Sequence, residues 1–234
     1  MIQATLLNKS LQDADEEGLI PTGIKCVLTD PPYGANFRSR RATTPDGRKF
    51  VEDIVNDADL DNAIEVFHDV MDRVLPNCTD EAELYVFTRW DIVGPWIEAV
   101  RDLRRHAFTY KMMLVWDKGI PGMGDIDCNW GCGHELILYA KRGRREVPYR
   151  RSGIIAVDKV HGTKHIHPTE KPVGLLEKLI EMSTDPGDLV VDPFAGSAST
   201  LVAATGLGRE AWGTEVHTPF YERARERLTM TTMF

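Results

Sequence analysis

The chain has 234 residues and a formal net charge of −8. This length favours a single α/β domain and leaves little over for a second one. We find no run of 18 apolar residues and no basic leader before an apolar core, so we expect neither a transmembrane helix nor a signal peptide. Four cysteines without regular spacing predict reduced thiols and a cytoplasmic protein.

The basic residues are clustered, although the whole chain is acidic. Residues 38–49 carry five basic residues against one acidic residue, and residues 141–151 carry six against one. An acidic body with two basic segments can still contact phosphates at those segments. We therefore expect both segments to contact DNA; the alternative is two solvated surface loops. The candidate side chains are Arg38, Arg40, Arg41, Arg142, Arg144 and Arg145.

The first half of the chain alternates predicted strands with predicted helices. Short apolar runs predict the strands, and apolar residues at helical spacing predict the helices. In chain order they are an edge strand at 4–7, a strand at 24–28, a helix at 60–75, a strand at 83–88, a helix at 91–105, and strands at 108–116 and 135–140. This order predicts a mostly parallel sheet with a terminal hairpin.

Two stretches interrupt this pattern. Residues 35–57 are polar, basic and broken by Pro45-Asp46-Gly47, which predicts a long lid or a DNA-contacting loop. Residues 144–166 show no periodicity and separate a half at 1–143 from a half at 167–234.

In the second half, the apolar pattern predicts a helix around 175–182, a strand at 189–191, a helix at 201–207, a strand at 211–214 and a closing helix at 218–228.

The stretch Thr29-Asp30-Pro31-Pro32-Tyr33-Gly34 follows the first buried strand. Open α/β sheets bind their ligands at the carboxyl ends of strands. The two prolines fix the backbone and remove two N–H donors, so the local carbonyl groups have no competing amide. A carboxylate, a carbonyl oxygen and an aromatic ring held together suit a planar ring that bears an amino group. The alternative is a Pro-Pro turn with a surface tyrosine.

A second motif lies in the C-terminal half. A strand, a turn with small residues, a helix, a strand and an acidic residue form the pattern of a nucleoside-binding βαβ unit. Ala195, Gly196 and Ala198 let the backbone approach a ligand, and Glu215 ends the following strand, where it could accept ribose hydroxyl hydrogens. The turn lacks the full G-x-G-x-x-G pattern, which disfavours a dinucleotide.

In combination these motifs resemble the β-class of the DNA amino-methyltransferases, in which the catalytic motif precedes the cofactor loop. The resemblance covers roughly residues 24–34, 83–90, 134–143 and 167–228. It implies one Rossmann-like S-adenosylmethionine-dependent methyltransferase domain with a seven-strand, mostly parallel sheet and a circularly permuted motif order. Two departures stand out: Ala198 replaces the second glycine of the cofactor loop, and Asn8-Lys9 replaces a Gly-Asp pair that contacts the cofactor adenine in the family.

The resemblance assigns a catalytic site and a cofactor site. The Asp30 carboxylate and the Pro31 carbonyl would hold the target amino group, Pro32 completes the motif, and Tyr33 would stack on an extruded base. Glu215 would bind the ribose of S-adenosylmethionine, and the remaining assigned cofactor residues are Thr169, Lys171, Asp192, Phe194, Ala195 and Gly196. Among these, Lys171 and Thr169 would face the methionine carboxylate.

The implied activity is methylation of the exocyclic amino group of adenine in double-stranded DNA, within restriction-modification. Aspartate at the first motif position leans towards adenine, whereas serine is common in cytosine enzymes of this class. The alternatives are a cytosine-N4 DNA methyltransferase, a non-catalytic DNA-binding relative, and an enzyme acting on RNA or on a protein glutamine; glutamine enzymes usually carry asparagine at this position.

Two further expectations concern metal and target. Cys128-x3-Cys132-x-His134 could be part of a zinc site, but a fourth ligand is missing nearby, so we expect no metal. The segment 144–166 is too short for a separate recognition domain. We therefore expect a short or relaxed target sequence and an enzyme that dimerisation could assist.

Overall fold

The computed structural model describes residues 3–34, 59–120, 130–147, 149–159 and 170–231. The strands are Ala4–Leu7 (β1), Ile24–Thr29 (β2), Cys78–Thr88 (β3), Thr109–Asp117 (β4), His134–Arg142 (β5), Ile154–Ala156 (β6), Leu189–Asp192 (β7) and Glu210–Thr214 (β8). The α-helices are Leu11–Glu16 (α1), Leu60–Val74 (α2), Val93–Asp102 (α3), Val173–Ser183 (α4), Ser199–Gly206 (α5) and Thr218–Thr231 (α6).

The strands form one sheet in the order β1-β8-β7-β2-β3-β5-β4-β6. Within the described ranges, neighbouring strands are parallel except where β5 meets β3 and β4. The predicted α/β fold, with a mostly parallel sheet and a hairpin, is confirmed. The edge strand β1 pairs with β8, so that Ala4 lies opposite Ala211.

An eighth strand departs from the predicted seven. Residues 154–156 pair in parallel with the end of β4, within the segment that shows no periodicity. The indole N–H of Trp116 donates to the carbonyl oxygen of Val157 at 2.7 Å and fastens the segment to the sheet. Because β6 has only three residues, it is too short to show an alternating pattern, and its position depends on this tertiary contact.

Helices cover both faces of the sheet. Alternate residues of each central strand point to opposite faces: Val27 and Leu84 pack with α1, α2 and α3, whereas Leu28 and Tyr85 pack with α4, α5 and α6. Burial on both faces explains the nearly continuous apolar run of β2. Among the helices in the described ranges, none has the length and apolar character needed to cross a membrane.

The ends of the first long helix follow from local chemistry. Asp59 caps the start of α2, because its carboxylate accepts a hydrogen bond from the backbone N–H of Asn62 at 2.8 Å. The α-helix ends at Val74 and tightens into a 3-10 turn at Leu75–Asn77, which contains Pro76. The predicted helix at 60–75 therefore has the expected bounds and buries Phe67 and Met71 on the sheet.

Candidate active site

The order of connections in the sheet changes direction between β7 and β2. From β2 the chain crosses through α2 to β3 on one side, and from β7 it crosses through α5 to β8 on the other. The carboxyl ends of β2 and β7 lie side by side, and open sheets bind ligands in the crevice outside such strand ends. Asp30 follows β2 and Asp192 ends β7, so the two sequence motifs meet at this place.

The inverted strand β5 brings a third carboxylate to the edge of the sheet at which these carboxyl ends lie. Because β5 runs antiparallel to β3, Leu136 near its start pairs with Thr88 at the end of β3. Glu135 therefore lies at the same edge as Asp30. Lys118 directly follows β4 and its ammonium group lies 2.5 Å from Glu135 Oε1. The sequence analysis assigned no role to Glu135 or Lys118, since their position depends on the direction of β5.

Asp30 is held from two sides. Its Oδ1 accepts a hydrogen bond from the hydroxyl of Tyr33, and its Oδ2 accepts one from Lys171 Nζ. The turn that carries these groups is pressed against the start of α2. Gly34 has a φ of 70°, and a side chain there would collide with the backbone of Asp59. Glycine is thus required both for the backbone conformation and for the close approach.

Four charges alternate along this edge in the order Asp30, Lys171, Glu135 and Lys118. The ammonium group of Lys171 also lies 3.3 Å from Glu135 Oε2. Burial raises the pKa of Asp30, and the charge of Lys171 opposes that rise. Burial alone would raise the pKa of Glu135, but Lys171 and Lys118 lower it below its ordinary value.

Lys171 and Tyr33 keep their protons in this environment. Burial would lower the pKa of Lys171, but Asp30 and Glu135 raise it above its ordinary value. Burial, and then the charge of Asp30, raise the pKa of Tyr33 well above its ordinary value. At neutral pH the site therefore contains an ammonium group and a neutral phenol, both of which donate to Asp30.

The loop after β7 is organised by Asp192. Its Oδ1 accepts from the hydroxyl of Thr29 and from the backbone N–H of Phe194, each at 3.1 Å, and its Oδ2 accepts from the hydroxyl of Thr200 at 2.6 Å. Burial raises the pKa of Asp192 to about 7, although these three donors oppose the rise. Because Thr29 directly precedes Asp30, the Asp192 carboxylate ties the turn that begins at Asp30 to the loop after β7.

The turn at Ala195–Gly196 is closed by Glu215. The backbone N–H of Gly196 donates to Glu215 Oε2 at 3.0 Å, and the N–H of His217 donates to Oε1 at 2.7 Å. Each oxygen keeps lone-pair capacity for a further donor. Phe194, which precedes this turn, is partly buried against the core. Ala198 has a φ of 57°, so the alanine in place of the family glycine sits in a backbone region that favours glycine.

The structure places Lys171 beside Asp30. Its ammonium group contacts Asp30 and Glu135 and lies 5.0 Å from the ring centre of Phe87. The role that resemblance gave it, facing a cofactor carboxylate, stays a prediction. Thr169, its expected companion, lies outside the described residues.

The structure corrects the expected role of Arg142. It is the last residue of β5 and pairs near the start of β3, at the end of the strands that lies away from Asp30. Its guanidinium group donates to the carbonyl oxygens of His106 at 2.6 Å, Cys78 at 2.9 Å and Leu75 at 3.0 Å. These carbonyl groups lie at the ends of helical turns and of a strand, where backbone groups need donors from elsewhere. Arg142 therefore ties backbone segments together and is not directed at the crevice.

The other basic residues divide into two groups. Arg145 donates to the carbonyl oxygen of Met182 at 2.8 Å and pairs with Asp185, so it too is held by the body of the protein, whereas Arg144 is exposed. Arg38, Arg40 and Arg41 lie outside the described residues. Cys128 does as well, and within the described ranges no three His, Cys, Asp or Glu side chains form a group that could hold a metal.

Comparison with known proteins was made on the whole chain. A family model described as DNA methylase (N6_N4_Mtase) matches residues 24–226. The chain is 40% identical to the DNA adenine methyltransferase YhdJ of Escherichia coli (strain K12), covering 90% of this chain and 78% of that protein. It is 47% identical to the type II methyltransferase M2.DpnII of Streptococcus pneumoniae, covering 89% of this chain and 83% of that protein.

A solved structure, that of the M1.HpyAVI–SAM complex, is similar in fold. The TM-score is 0.72 at 20% sequence identity, and the match covers 97% of this chain and 99% of that one. At this identity the comparison speaks to the fold alone. The Rossmann-like architecture that the sequence motifs implied is thereby confirmed.

Proposed function

Because the chain belongs to the N6/N4 DNA methylase family, we propose that it transfers a methyl group from S-adenosylmethionine to the exocyclic amino group of adenine in double-stranded DNA. The observation that carries this proposal is the hydrogen bond from Thr29 to Asp192. It joins the ends of two paired strands, so that the turn after β2 and the loop after β7 are held next to each other, as direct transfer between two bound molecules requires.

The residues around the C-terminal loop fit the methyl donor. A Cβ at Gly196 would have no heavy atom closer than 4.0 Å, which leaves room for a ligand against the backbone. Glu215, at the end of β8, can accept hydrogen bonds from the two ribose hydroxyl groups. Asp192 holds the loop in place through its hydrogen bonds to Phe194 and Thr200. When bound, S-adenosylmethionine supplies an electrophilic methyl group on a positively charged sulfur.

The catalytic turn fits the amine. The lone pair of an aromatic amine is delocalised into its ring, which makes the nitrogen a poor nucleophile. If the Asp30 carboxylate and the Pro31 carbonyl each accept one N–H, the nitrogen becomes pyramidal and its lone pair can face the methyl group. As the new N–C bond forms, the bond between the methyl carbon and the donor sulfur breaks, and S-adenosylhomocysteine leaves as a neutral thioether. The nitrogen gains positive charge, which Asp30 stabilises, and Asp30 receives the proton before it passes to water.

The target base has to leave the duplex to reach this turn. We propose that Tyr33 releases Asp30 Oδ1 when the base enters and then stacks on the base. This exchange frees one oxygen of Asp30 for the amino group while Lys171 stays on the other oxygen. Stacking on Tyr33 offsets part of the cost of unstacking the base from DNA.

Adenine is the proposed target because aspartate occupies the first position of the motif and because YhdJ, which is 40% identical, is named a DNA adenine methyltransferase. Cytosine is the second candidate, because it also presents an amino group beside a ring nitrogen. We further propose that the basic segment at 38–49 contacts phosphates, that the target sequence is short, and that two copies of the chain cooperate within a restriction-modification system in the cytoplasm.

The test is methyl transfer from labelled S-adenosylmethionine to mixed-sequence DNA, RNA and protein, followed by mass spectrometry of the digested nucleosides. We expect N6-methyladenine in DNA. We expect Asp30→Ala to lower the rate by about 100-fold or more, whereas Asp80→Ala, an exposed aspartate at the opposite sheet edge, keeps it. N4-methylcytosine would reassign the base. Label in RNA or protein alone, or an active Asp30→Ala enzyme, would overturn the proposal.

A further inference from the structure

We propose that Glu135 is a positioning residue for methyl transfer, which acts by anchoring Lys171 against Asp30. This inference rests on the proposed function. Glu135 does not contact Asp30 through a hydrogen bond that the structure records; its carboxylate reaches the catalytic turn through the ammonium group of Lys171. Lys118 holds the other oxygen of Glu135 at 2.5 Å.

Three groups surround the ammonium group of Lys171. The side chain is only 9% exposed, and an ammonium group has three N–H donors. Asp30, Glu135 and the ring of Phe87 lie on three sides of it. Without Glu135 one of these three sides is lost, and Lys171 can turn further onto Asp30 and occupy the oxygen that the amino group needs.

The contact between Lys171 and Glu135 is looser than its neighbours. Within the described residues, Glu135 Oε2 is buried and has no hydrogen bond of good geometry, although Lys171 Nζ lies 3.3 Å away. The ion pair is close but poorly aligned. Lys171 can therefore shift towards Glu135 when Asp30 begins to share its lone pairs with the amino group.

The balance of charge gives a second reason. Methyl transfer makes the amino nitrogen positive, and Asp30 has to stabilise it. Lys171 alone would cancel the charge of Asp30 and weaken that attraction. Glu135 supplies the compensating negative charge within the same buried edge, where charges interact more strongly than in water. A neutral glutamine at position 135 keeps the shape but removes this charge.

The groups that act on Asp30 come from several elements. They are Tyr33 in its own turn, Lys171 before α4, Glu135 on β5 and Asp192 on β7, with Lys118 behind Glu135 and Arg89 acting on Tyr33. Two of them have opposite effects on the pKa of Asp30: the charge of Lys171 lowers it, and the charge of Glu135 raises it. Neutralising each in turn should therefore shift the titration of Asp30 in opposite senses.

The first experiment measures this titration without methyl donor or DNA. Carbon-13 NMR of the aspartate carboxyl groups follows Asp30, assigned with Asp30→Asn, in the wild type and in two variants. We expect Asp30 to titrate at lower pH in Glu135→Gln and at higher pH in Lys171→Met than in the wild type. Unchanged titration in both variants, or shifts in the same direction, would overturn the proposal whether or not the protein methylates DNA.

The second experiment measures single-turnover methyl transfer as a function of pH. We expect Glu135→Gln to slow the step about 10- to 100-fold while the Kd of S-adenosylmethionine stays nearly unchanged. We also expect the acid limb of its pH profile to move to lower pH. Glu135→Asp keeps the charge and should keep the acid limb of the wild type. The control is Glu17→Gln, which removes an exposed partner of Lys9. A Glu135→Gln enzyme that matches this control would contradict the inference, and an inactive wild type would instead contradict the proposed function.

Discussion

Replacing Arg142 with methionine should destabilise the protein without changing how it contacts DNA. The guanidinium group ties together the 3-10 turn at Leu75–Asn77, the start of β3 and the 3-10 turn at Leu103–His106. It also lies 5.0 Å from the ring centre of Phe108. Methionine keeps most of the apolar stem but removes every donor, so three backbone carbonyl groups lose a charged donor, and that of Leu75 keeps the backbone N–H of Cys78.

The size of the effect follows from these contacts. A hydrogen bond to a charged group is worth about 1.5–3 kcal/mol, and the contributions of neighbouring bonds do not add fully. Arg142 is only partly buried, so water can reach some of the freed carbonyl groups. We therefore expect a loss of about 3–5 kcal/mol from a free energy of unfolding that is typically 5–15 kcal/mol.

Urea unfolding, followed by circular dichroism, measures this loss as a lower midpoint at a similar slope. Arg144→Met is the matched control, because Arg144 is the exposed neighbour and should change stability by less than about 0.5 kcal/mol. The salt dependence of DNA affinity should be the same in Arg142→Met and the wild type. If Arg142→Met unfolds like Arg144→Met and instead has a weaker salt dependence, our reasoning about Arg142 is refuted and a phosphate contact is indicated.

Three further predictions concern the loop after β7. Burial raises the pKa of Asp192 from 3.8 to about 7, so the folded state holds a proton that the unfolded state releases. The free energy of unfolding therefore falls as pH rises from about 4 to 7, and Asp192→Asn should flatten this fall. Urea midpoints that change with pH equally in Asp192→Asn and in the wild type would contradict the prediction. Gly213→Ala would place a Cβ 2.6 Å from the carbonyl oxygen of Asp192, so we expect a loss of about 1–3 kcal/mol in urea unfolding, and an unchanged midpoint would exclude the clash. Glu215→Gln should weaken S-adenosylmethionine binding about 10-fold or more by calorimetry, and unchanged affinity would remove Glu215 from the ribose site.

The main elements of the fold were predictable because each carries a local signal. Helix α2 has apolar residues at helical spacing, a capping Asp59 and a terminating Pro76. Strand β2 is a nearly continuous apolar run because both of its faces are buried. Strand β6 gives no such signal, since its three residues are placed by their contact with the end of β4.

The candidate site was predictable only in part. The residues of the motif that begins at Asp30 are contiguous in the sequence, and so are the small residues around Gly196. Each of these two groups could therefore be identified without a structure. Glu135 could not be linked to Asp30, because the link depends on β5 running against its neighbours and presenting its first residues at the crevice. A carboxylate at the start of an otherwise apolar strand was the one available signal. Arg142 was misjudged because a basic cluster in sequence does not reveal which edge of the sheet it faces.

The pairing of β1 with β8 has a consequence for the order in which the molecule is completed. Ala4 leaves the ribosome long before Ala211, its partner in the sheet, and contacts so distant in sequence are costly to close early. The segment at β1 can therefore pair in the sheet only after residues 210–214 have been synthesised. Because Asn8 donates to the carbonyl oxygen of Glu215 at 2.8 Å, the surroundings of Glu215 are completed only when β1 has docked.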